Sequence, residues 1–456
     1  MPNRRDVLKA AGLAVGGISL AACGDLTPPS SNTAIVPNGF RFYPVKRGGI
    51  AASAADLQFA GDAMIDDRNH IVYGWHSKTE QRFSVQALTI SVKNNQVQID
   101  SERTITAEGQ KVNNHEILRL SGADLNFAGT LVLSAEADTG LRAALTDSEG
   151  NQVEGHGDVM PQQYLCLERG NGLEVLIKPF DKSAEGHQFI GMFGDTDIHD
   201  DGNIVFAADY QHLVENDEHE ARHGVFQMRL GQVARLLLTN DSMVGSGSSA
   251  ARIGRYGLID LNDSGNLVVQ AHTFSEQEEQ SSPVLLQGNM NRINLQAPLS
   301  GLSLQTTNNL AVQSQGSSIR LGRMENGPRA GAKGRFAYVL KQGKKQSLVQ
   351  NQKVITSTGA SSPTGSEVLG ALPPVMSANS LTYFVMGTKD GDELCAYDGQ
   401  RIYSFLKSGD YLHNDNRPID KIIFGLTTQQ TNRAGAMAFV VSHADKSATL
   451  VLGLPV

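Results

Sequence analysis

The stretch Gly194–Asp241, GDTDIHDDGNIVFAADYQHLVENDEHEARHGVFQMRLGQVARLLLTND, constrains the fold more than any other part of the sequence, because degraded copies of it recur from about residue 60 to the C-terminus. In Asn203–Asp209 the β-formers Ile204, Val205 and Phe206 follow Asp200-Asp201-Gly202, a turn in which glycine takes positive φ without a Cβ clash. That pattern predicts a hairpin of Gly194–Ile198 with Asn203–Asp209. A second hairpin, Gly224–Arg229 with Gln232–Thr239, turns at Leu230-Gly231. One unit is therefore four short antiparallel strands. Apolar residues fall on both faces, as in VFAA and RLLL, so each small sheet needs cover on both sides. Neighbouring copies stacked radially supply it, since such a unit cannot bury itself alone.

The turn that opens the second strand recurs at Asp66–Asn69, Asn126–Gly129, Asp200–Gly202, Asn262–Gly265, Thr307–Asn309, Ser377–Ser380 and Asn432–Gly435, a mean period of about 61 residues. The second hairpin supports the same register. Leu165–Asp181, Val225–Asp241 and Leu394–Asp410 align over 17 residues without a gap, with Leu173, Val233 and Ile402 matching, as do Leu176, Leu236 and Phe405. The last copy has two clear strands, Ala436–Val441 and Thr449–Leu454, and the strand-like run Phe40–Lys46 is available to complete it. Pairing the two ends removes exposed edges. The expected fold is an all-β propeller of four-stranded antiparallel blades over residues 39–456, six to eight in number, seven being the count the period favours.

The Asn/Asp-Asp-x-Gly-x-hydrophobic-x-Phe-x-Ala pattern followed by Gly-Val-Phe resembles the repeat of uncharacterised secreted bacterial β-propeller-like proteins. The resemblance covers most of residues 57–456, is best in the third and fourth copies, and implies a fold without an assigned chemistry.

Residues 1–22 read as an address. Asn3-Arg4-Arg5-Asp6-Val7-Leu8-Lys9 resembles the twin-arginine export motif, with Arg4 and Arg5 as its pair. The apolar run Ala10–Ala22 that follows has 13 residues, too short to span a bilayer. Leu20-Ala21-Ala22-Cys23 looks like a lipobox, in which Cys23 is lipidated and becomes the new N-terminus; Gly24 after it, in place of Asp, favours the outer membrane. Residues 23–38 read as a Pro- and Ser-containing tether, and the lipid on Cys23 is the membrane contact. An ordinary tail with a chance arginine pair is the plain alternative. Removing residues 1–22 takes the formal charge from −8 to −10, which speaks against a nucleic-acid partner.

In a four-stranded blade the first-to-second and third-to-fourth connections share one face, and the second-to-third and blade-to-blade connections share the other. The second kind read as long here, at Glu136–Gln163, Tyr210–His223, Thr273–Pro283 and Gln313–Gly334. Binding residues favour such loops on a rigid scaffold. His219-Glu220-Ala221-Arg222-His223 matches H-E-x-x-H formally, and a zinc site through His219, Glu220 and His223 needs it to be helical. Asp217, Glu218, Arg222 and the strand opening at Gly224 argue instead for a solvated loop. The acidic turns Asp197–Asp201 and Asp260–Asp263 are candidates for calcium or plain Asx turns. Arg320, Arg323, Arg329, Lys333 and Arg335, with Glu276, Glu278 and Glu279 in the preceding copy, offer an anion site or a mutually screened surface.

Cys166 and Cys395 hold the same place in the second and sixth units, which predicts two separate buried thiols. His115, His187 and His443 have no partner by spacing. Aromatics make up 6% of the chain, with Trp75 the single tryptophan, which argues against a lectin that stacks sugars on rings. Catalytic residues are unknown. Three functional readings follow: a lipid-anchored binding or scaffold protein that takes an envelope protein or glycan through its long-loop face and needs no cofactor; an exported metal-dependent hydrolase, zinc or calcium being its ion, with its site on the same face or in the central channel; and a structural envelope component with no small ligand.

Overall fold

The structure, a computed structural model, describes residues 36–456 except 51–56, 95, 142–144, 147–151, 154–159, 171, 192–195, 214–218, 246–250, 262–264, 276–277, 296–310, 313–318, 322–335, 343–344, 351–352, 378–380 and 426–428. Arg4, Arg5 and Cys23 lie outside the described residues. The described strands form seven blades, each built on four antiparallel strands, and the chain is a β-propeller. The seventh and first blades are joined into one sheet by a parallel pairing of Gly49 with Gln58, and Leu145–Thr146 with Gln152–Val153 forms a separate two-stranded hairpin. In the third blade the inner strand is split into Gln188–Gly191 and Thr196–Ile198. It is followed outward by Asn203–Leu213, His219–Arg229 and Arg235–Thr239. Inner strands of successive blades touch in order, His115–Leu125 to Thr196–Ile198 to Ala251–Leu261 to Ile319–Leu321 to Val375–Met376.

The seventh blade joins the two ends of the chain. Its strands are Ile419–Ile423, Met437–His443, Ser447–Pro455 and, outermost, Phe40–Gly49. Phe40 pairs Pro455 and Gly49 pairs Ser447, with one irregularity between Pro44 and Lys46. Lys46 secures that strand to the first blade, its Nζ 4.9 Å from the Trp75 ring centroid and ion-paired with Glu102. The expected closure by Phe40–Lys46 is present.

The cores lie between blades, as apolar residues on both faces require. Leu165 of the second blade packs with Phe189, Phe206 and Phe226 of the third. Val205, Val225 and Leu238 of the third pack with Ile253, Ile259 and Leu267 of the fourth. Burying one such phenylalanine contributes about 1.5–3 kcal/mol. Gly224 of the Gly-Val-Phe motif has a packing reason, since a Cβ there would stand 2.8 Å from Leu236 Cδ1 and 3.0 Å from Tyr210 Cε1.

Polar side chains fasten the inner strands. Asp124 Oδ2 accepts the Ile198 N–H of the next blade at 3.0 Å, and Asp197 Oδ2 accepts the Leu261 N–H at 2.7 Å. In the first-to-second turns, Asn126 Nδ2 donates to His199 O and Asn432 Nδ2 to Asp66 O, both at 3.2 Å. The Asn/Asp pattern that carried the repeat thus also stitches blade to blade, and Gly202, at φ +83°, closes its turn.

Three sequence expectations are corrected. Tyr210–His223 and Thr273–Pro283 are not simply loops, because strands run to Leu213 and from His219, and to Ser275 and from Glu278. The fifth anchor is misplaced: Ile319–Leu321 pairs Phe336–Gln342 as an inner strand, so the first-to-second connection of the fifth blade is 322–335 and not Thr307–Asn309. For the same reason Gln313–Gly334 is not a connection of the second-to-third kind. Cys166 and Cys395 sit free and fully buried in third strands of the second and sixth blades, as expected, and burial pushes the Cys166 thiol up to about 12.

Candidate functional site

On the face that carries the second-to-third connections, the third blade gathers its titratable side chains. Asn203–Leu213 and His219–Arg229 pair in register along their whole length, Asp209 facing His223 and Tyr210 facing Arg222. Alternation along a strand sends these two pairs to opposite faces. Asp209 and His223 point toward the fourth blade. His223 Nδ1 lies 2.5 Å from Asp209 Oδ1, and its ring stacks on Tyr256 at 5.5 Å between centroids. The carboxylate fixes the imidazole with Nδ1 as donor and turns Nε2 away from it. That Nε2 is buried and has no hydrogen-bond partner.

Tyr210 and Arg222 face the second blade. The Tyr210 hydroxyl donates to Thr239 Oγ1 at 2.9 Å, and burial raises its pKa. Arg222 donates to Glu220 Oε2 at 2.9 Å and ion-pairs with Asp241. The bonds from Arg222 hold the Glu220 carboxyl below its ordinary range. From the incoming connection, His187 approaches Tyr210 at 4.8 Å between ring centroids, and its Nδ1 stands 3.4 Å from His212 Nδ1. Burial, and then the facing His212 ring, push the His187 pKa down. This rim offers hydrogen-bond donors and acceptors in both protonation states, an arrangement suited to recognising a polar ligand.

The zinc motif does not take the shape it needs. His219-Glu220-Ala221-Arg222-His223 is strand, neither helix nor loop, and four residues of strand separate the His219 and His223 backbones by about 13 Å. Glu220 is tied to Arg222, and among the described residues no group of three or more His, Cys, Asp or Glu converges as a metal site. In the acidic turn Asp197–Asp201 the carboxylates already serve the fold. Asp197 holds Leu261, Asp200 accepts the Ala128 N–H at 3.2 Å, and Asp201 Oδ1 accepts the Asn203 N–H at 3.0 Å. Asn262 and Asp263 lie outside the described residues. So do Arg323, Arg329, Lys333 and Arg335, while Arg320 is placed only as a backbone position on Ile319–Leu321.

Of the histidines without a partner by spacing, His443 is a core residue. Its Nδ1 lies 3.0 Å from Pro418 O and its Nε2 3.0 Å from Thr449 Oγ1. His115 stacks on Tyr164, and His187 joins the rim group described above. Sequence reading missed the pairing of His187 with His212, which joins a connection to a hairpin and leaves no periodic trace.

Two further polar groups lie elsewhere. On the short-turn face Arg433 of the seventh blade bonds Asp67 of the first at 2.8 Å, lies 4.5 Å over the Phe127 ring of the second and pairs with Asp200 of the third. One guanidinium thereby ties four blades. Between the first and second blades a cavity of about 80 Å³ is lined by Asp66, His70, Ser101, Arg103 and Glu168. It has room for two or three waters at roughly 30 Å³ each. The buried Asp66 accepts the Arg68 and His70 N–H groups at 2.8 Å.

No protein-family model matches the chain, and no curated protein does. Among solved structures it is similar to the polysaccharide lyase Uly1, at 8% identity and a TM-score of 0.43, over 93% of this chain and 98% of that one. It is similar to the Dos1 propeller at 9% identity and 0.38, over 90% and 94%. A Penicillium chrysogenum α-L-arabinanase complexed with arabinobiose gives 10% identity and 0.32, over 91% and 97%. Overlaps this slight bear on no chemistry.

Proposed function

We propose that this chain is an exported, lipid-anchored β-propeller, attached at the cell envelope through Cys23, that binds a polar ligand at the loop face of its third blade. One observation carries the binding site: His187, His212, Tyr210 and Arg222 gather at the rim on the second-blade side of one hairpin, and on its fourth-blade side the Asp209–His223 pair leaves His223 Nε2 buried and unpartnered. Buried polar atoms are paired in nearly all folded proteins, so an open one marks a place that a ligand or water completes. The twin-arginine motif, the lipobox at Cys23 and the tether 23–38 support the location. The outer membrane is the destination that Gly24 favours.

The test has two parts. Wild-type protein incorporates labelled palmitate and sediments with membranes, whereas Cys23→Ala does neither. In envelope cross-linking, Arg222→Ala and His212→Ala lose most of the partner that wild type captures while melting as cooperatively as wild type. Capture unaffected by both substitutions overturns the site. The strand conformation of His219–His223 removes the zinc-motif support for the metal-dependent hydrolase reading.

A further inference from the structure

Three of the connections that lead from one blade to the next share a backbone design. In each, a four-residue turn is closed by its last N–H: Asp181 to Lys178 O at 3.2 Å, Ala360 to Ser357 O at 2.9 Å and Asp410 to Lys407 O at 3.0 Å. The third residue of each turn then donates to the incoming inner strand, Phe180 to Phe189 O at 2.7 Å, Gly359 to Val368 O and Gly409 to Ile419 O both at 2.8 Å. That third position takes positive φ, +86° at Gly359 and +91° at Gly409. The blade-two-to-three connection places Phe180 there, at +71°. Glycine occupies this region freely, whereas a bulky residue in it is an outlier.

Packing does not compensate Phe180. A Cβ built at Gly359 or Gly409 meets nothing within 4 Å, so this turn position faces open space, and Phe180 itself is 53% exposed. An outlier of backbone conformation that presents an aromatic ring to water is unfavourable in the free protein on both counts. Gln188 Nε2 donates to Phe180 O at 3.2 Å and fixes the backbone of this turn to the incoming strand.

We propose that Phe180 is a ligand platform on the loop face, on which the ring of a neutral pyranose glycan stacks while the polar side chains that flank it hydrogen-bond its hydroxyls. This rests on the loop-face reading above and names its ligand class. A membrane surface or a hydrophobic partner needs a contiguous apolar patch. Phe180 stands instead among Lys178, Asp181, Lys182, Glu185 and Gln188. One aromatic face ringed by groups that both donate and accept matches a sugar, apolar on its C–H face and polar at its rim. The flanking charges, two basic and two acidic, set no preference for a polyanion.

The experiment uses the chain from residue 24 onward, titrated by calorimetry with an N-acetylglucosamine tetramer and a β-linked glucose hexamer, and with polygalacturonate as the charged comparison. Wild type binds at least one neutral oligosaccharide. Phe180→Gly weakens it about tenfold or more yet melts at the same or a higher temperature, and Phe180→Trp retains binding. Failure of every neutral oligosaccharide to bind, equal binding by Phe180→Gly, or a lower melting temperature for Phe180→Gly each overturns the proposal. If envelope capture still depends on Arg222 and His212 while no neutral sugar binds, the loop-face reading stands and the glycan assignment falls.

Discussion

Arg417→Ala tests how the ring is held shut. Asp415 and Arg417 lie on the connection between the sixth and seventh blades. The guanidinium grips the carboxylate at two points, Nη2 to Oδ2 at 2.7 Å and Nε to Oδ1 at 3.1 Å. It also reaches Ser447 Oγ at 3.0 Å and Thr449 Oγ1 at 3.1 Å on the C-terminal strand, while Arg47 of the N-terminal strand stands 3.5 Å from Asp415. The pair therefore sits on the seam where the two chain ends meet. The Asp415 side chain is fully buried, and the Arg417 hydrogen bonds bring its pKa down to about 2. Against an unfolded value of about 3.9, this is worth roughly 2.5 kcal/mol. The folded pKa is depressed, so this stability is present above about pH 4 and is lost as pH falls toward 2.

Removing the guanidinium leaves a buried carboxylate with the backbone N–H of residue 417 and the exposed Arg47 as its remaining partners, at a cost of about 3 kcal/mol at neutral pH. Urea midpoints of the chain from residue 24 onward, measured from pH 2 to 7 at low salt, read both effects. Wild type declines below pH 4. In Arg417→Ala the neutral-pH stability is lower and the decline begins at higher pH. Asp415→Asn in the Arg417→Ala background recovers part of the loss, because the stranded charge is gone. Superimposable pH profiles for wild type and Arg417→Ala would refute the reasoning.

Asp197→Ala leaves the buried Leu261 N–H without the acceptor now 2.7 Å away, and urea unfolding should show a loss of about 1–3 kcal/mol; a change within experimental error would mean that water replaces the carboxylate. Gly453→Val places a Cβ 2.7 Å from Met437 Cγ and 2.9 Å from Phe42 Cε1, where the terminal strands pair. Overpacking of about 1–3 kcal/mol should follow, with faster proteolysis of the N-terminal strand, and unchanged digestion would contradict the closure geometry. His187 has a lowered folded pKa, so its contribution is present above the unfolded value of about 6.5 and lost as pH falls through it. His187→Gln should flatten the stability profile between about pH 7 and 5, and a profile as steep as that of wild type would rule out this histidine as its source.

Much of the ring was legible because its signals are local. A turn such as Asp200-Asp201-Gly202 needs a residue that accepts positive φ, and the β-branched run after it fixes the second strand. Strand ends were less legible. Tyr210–Leu213 and His219–Arg222 carry polar side chains and read as loop, yet they are paired strand. At the rim of a propeller a strand leaves the inter-blade core and meets water, so polarity there marks the edge of the core and not the end of the strand. The fifth blade was displaced because its inner strand is in two short pieces, Ala311–Val312 and Ile319–Leu321, too brief for a period to register. The rim group could not be read from spacing at all. Phe180 could have been, since the ungapped alignment sets it opposite Gly409, where Pro179 before it already predicts a turn that favours glycine.

The two faces of the ring differ in how much freedom the fold leaves their side chains. On the short-turn face Asn126, Asn432, Asp67 and Asp200 are engaged between blades, and Arg433 binds two of those carboxylates at once. A substitution there removes an inter-blade bond, so that face has little freedom to change. On the loop face the three matched connections keep the same backbone bonds with Lys178-Pro179-Phe180-Asp181, Ser357-Thr358-Gly359-Ala360 and Lys407-Ser408-Gly409-Asp410. The third residue enters these bonds through its backbone N–H alone, so its side chain is free to differ. Phe180 occupies a position that the turn leaves optional, at a backbone angle that disfavours it. A residue the fold does not require, kept where the fold resists it, is best explained by what lies outside the fold.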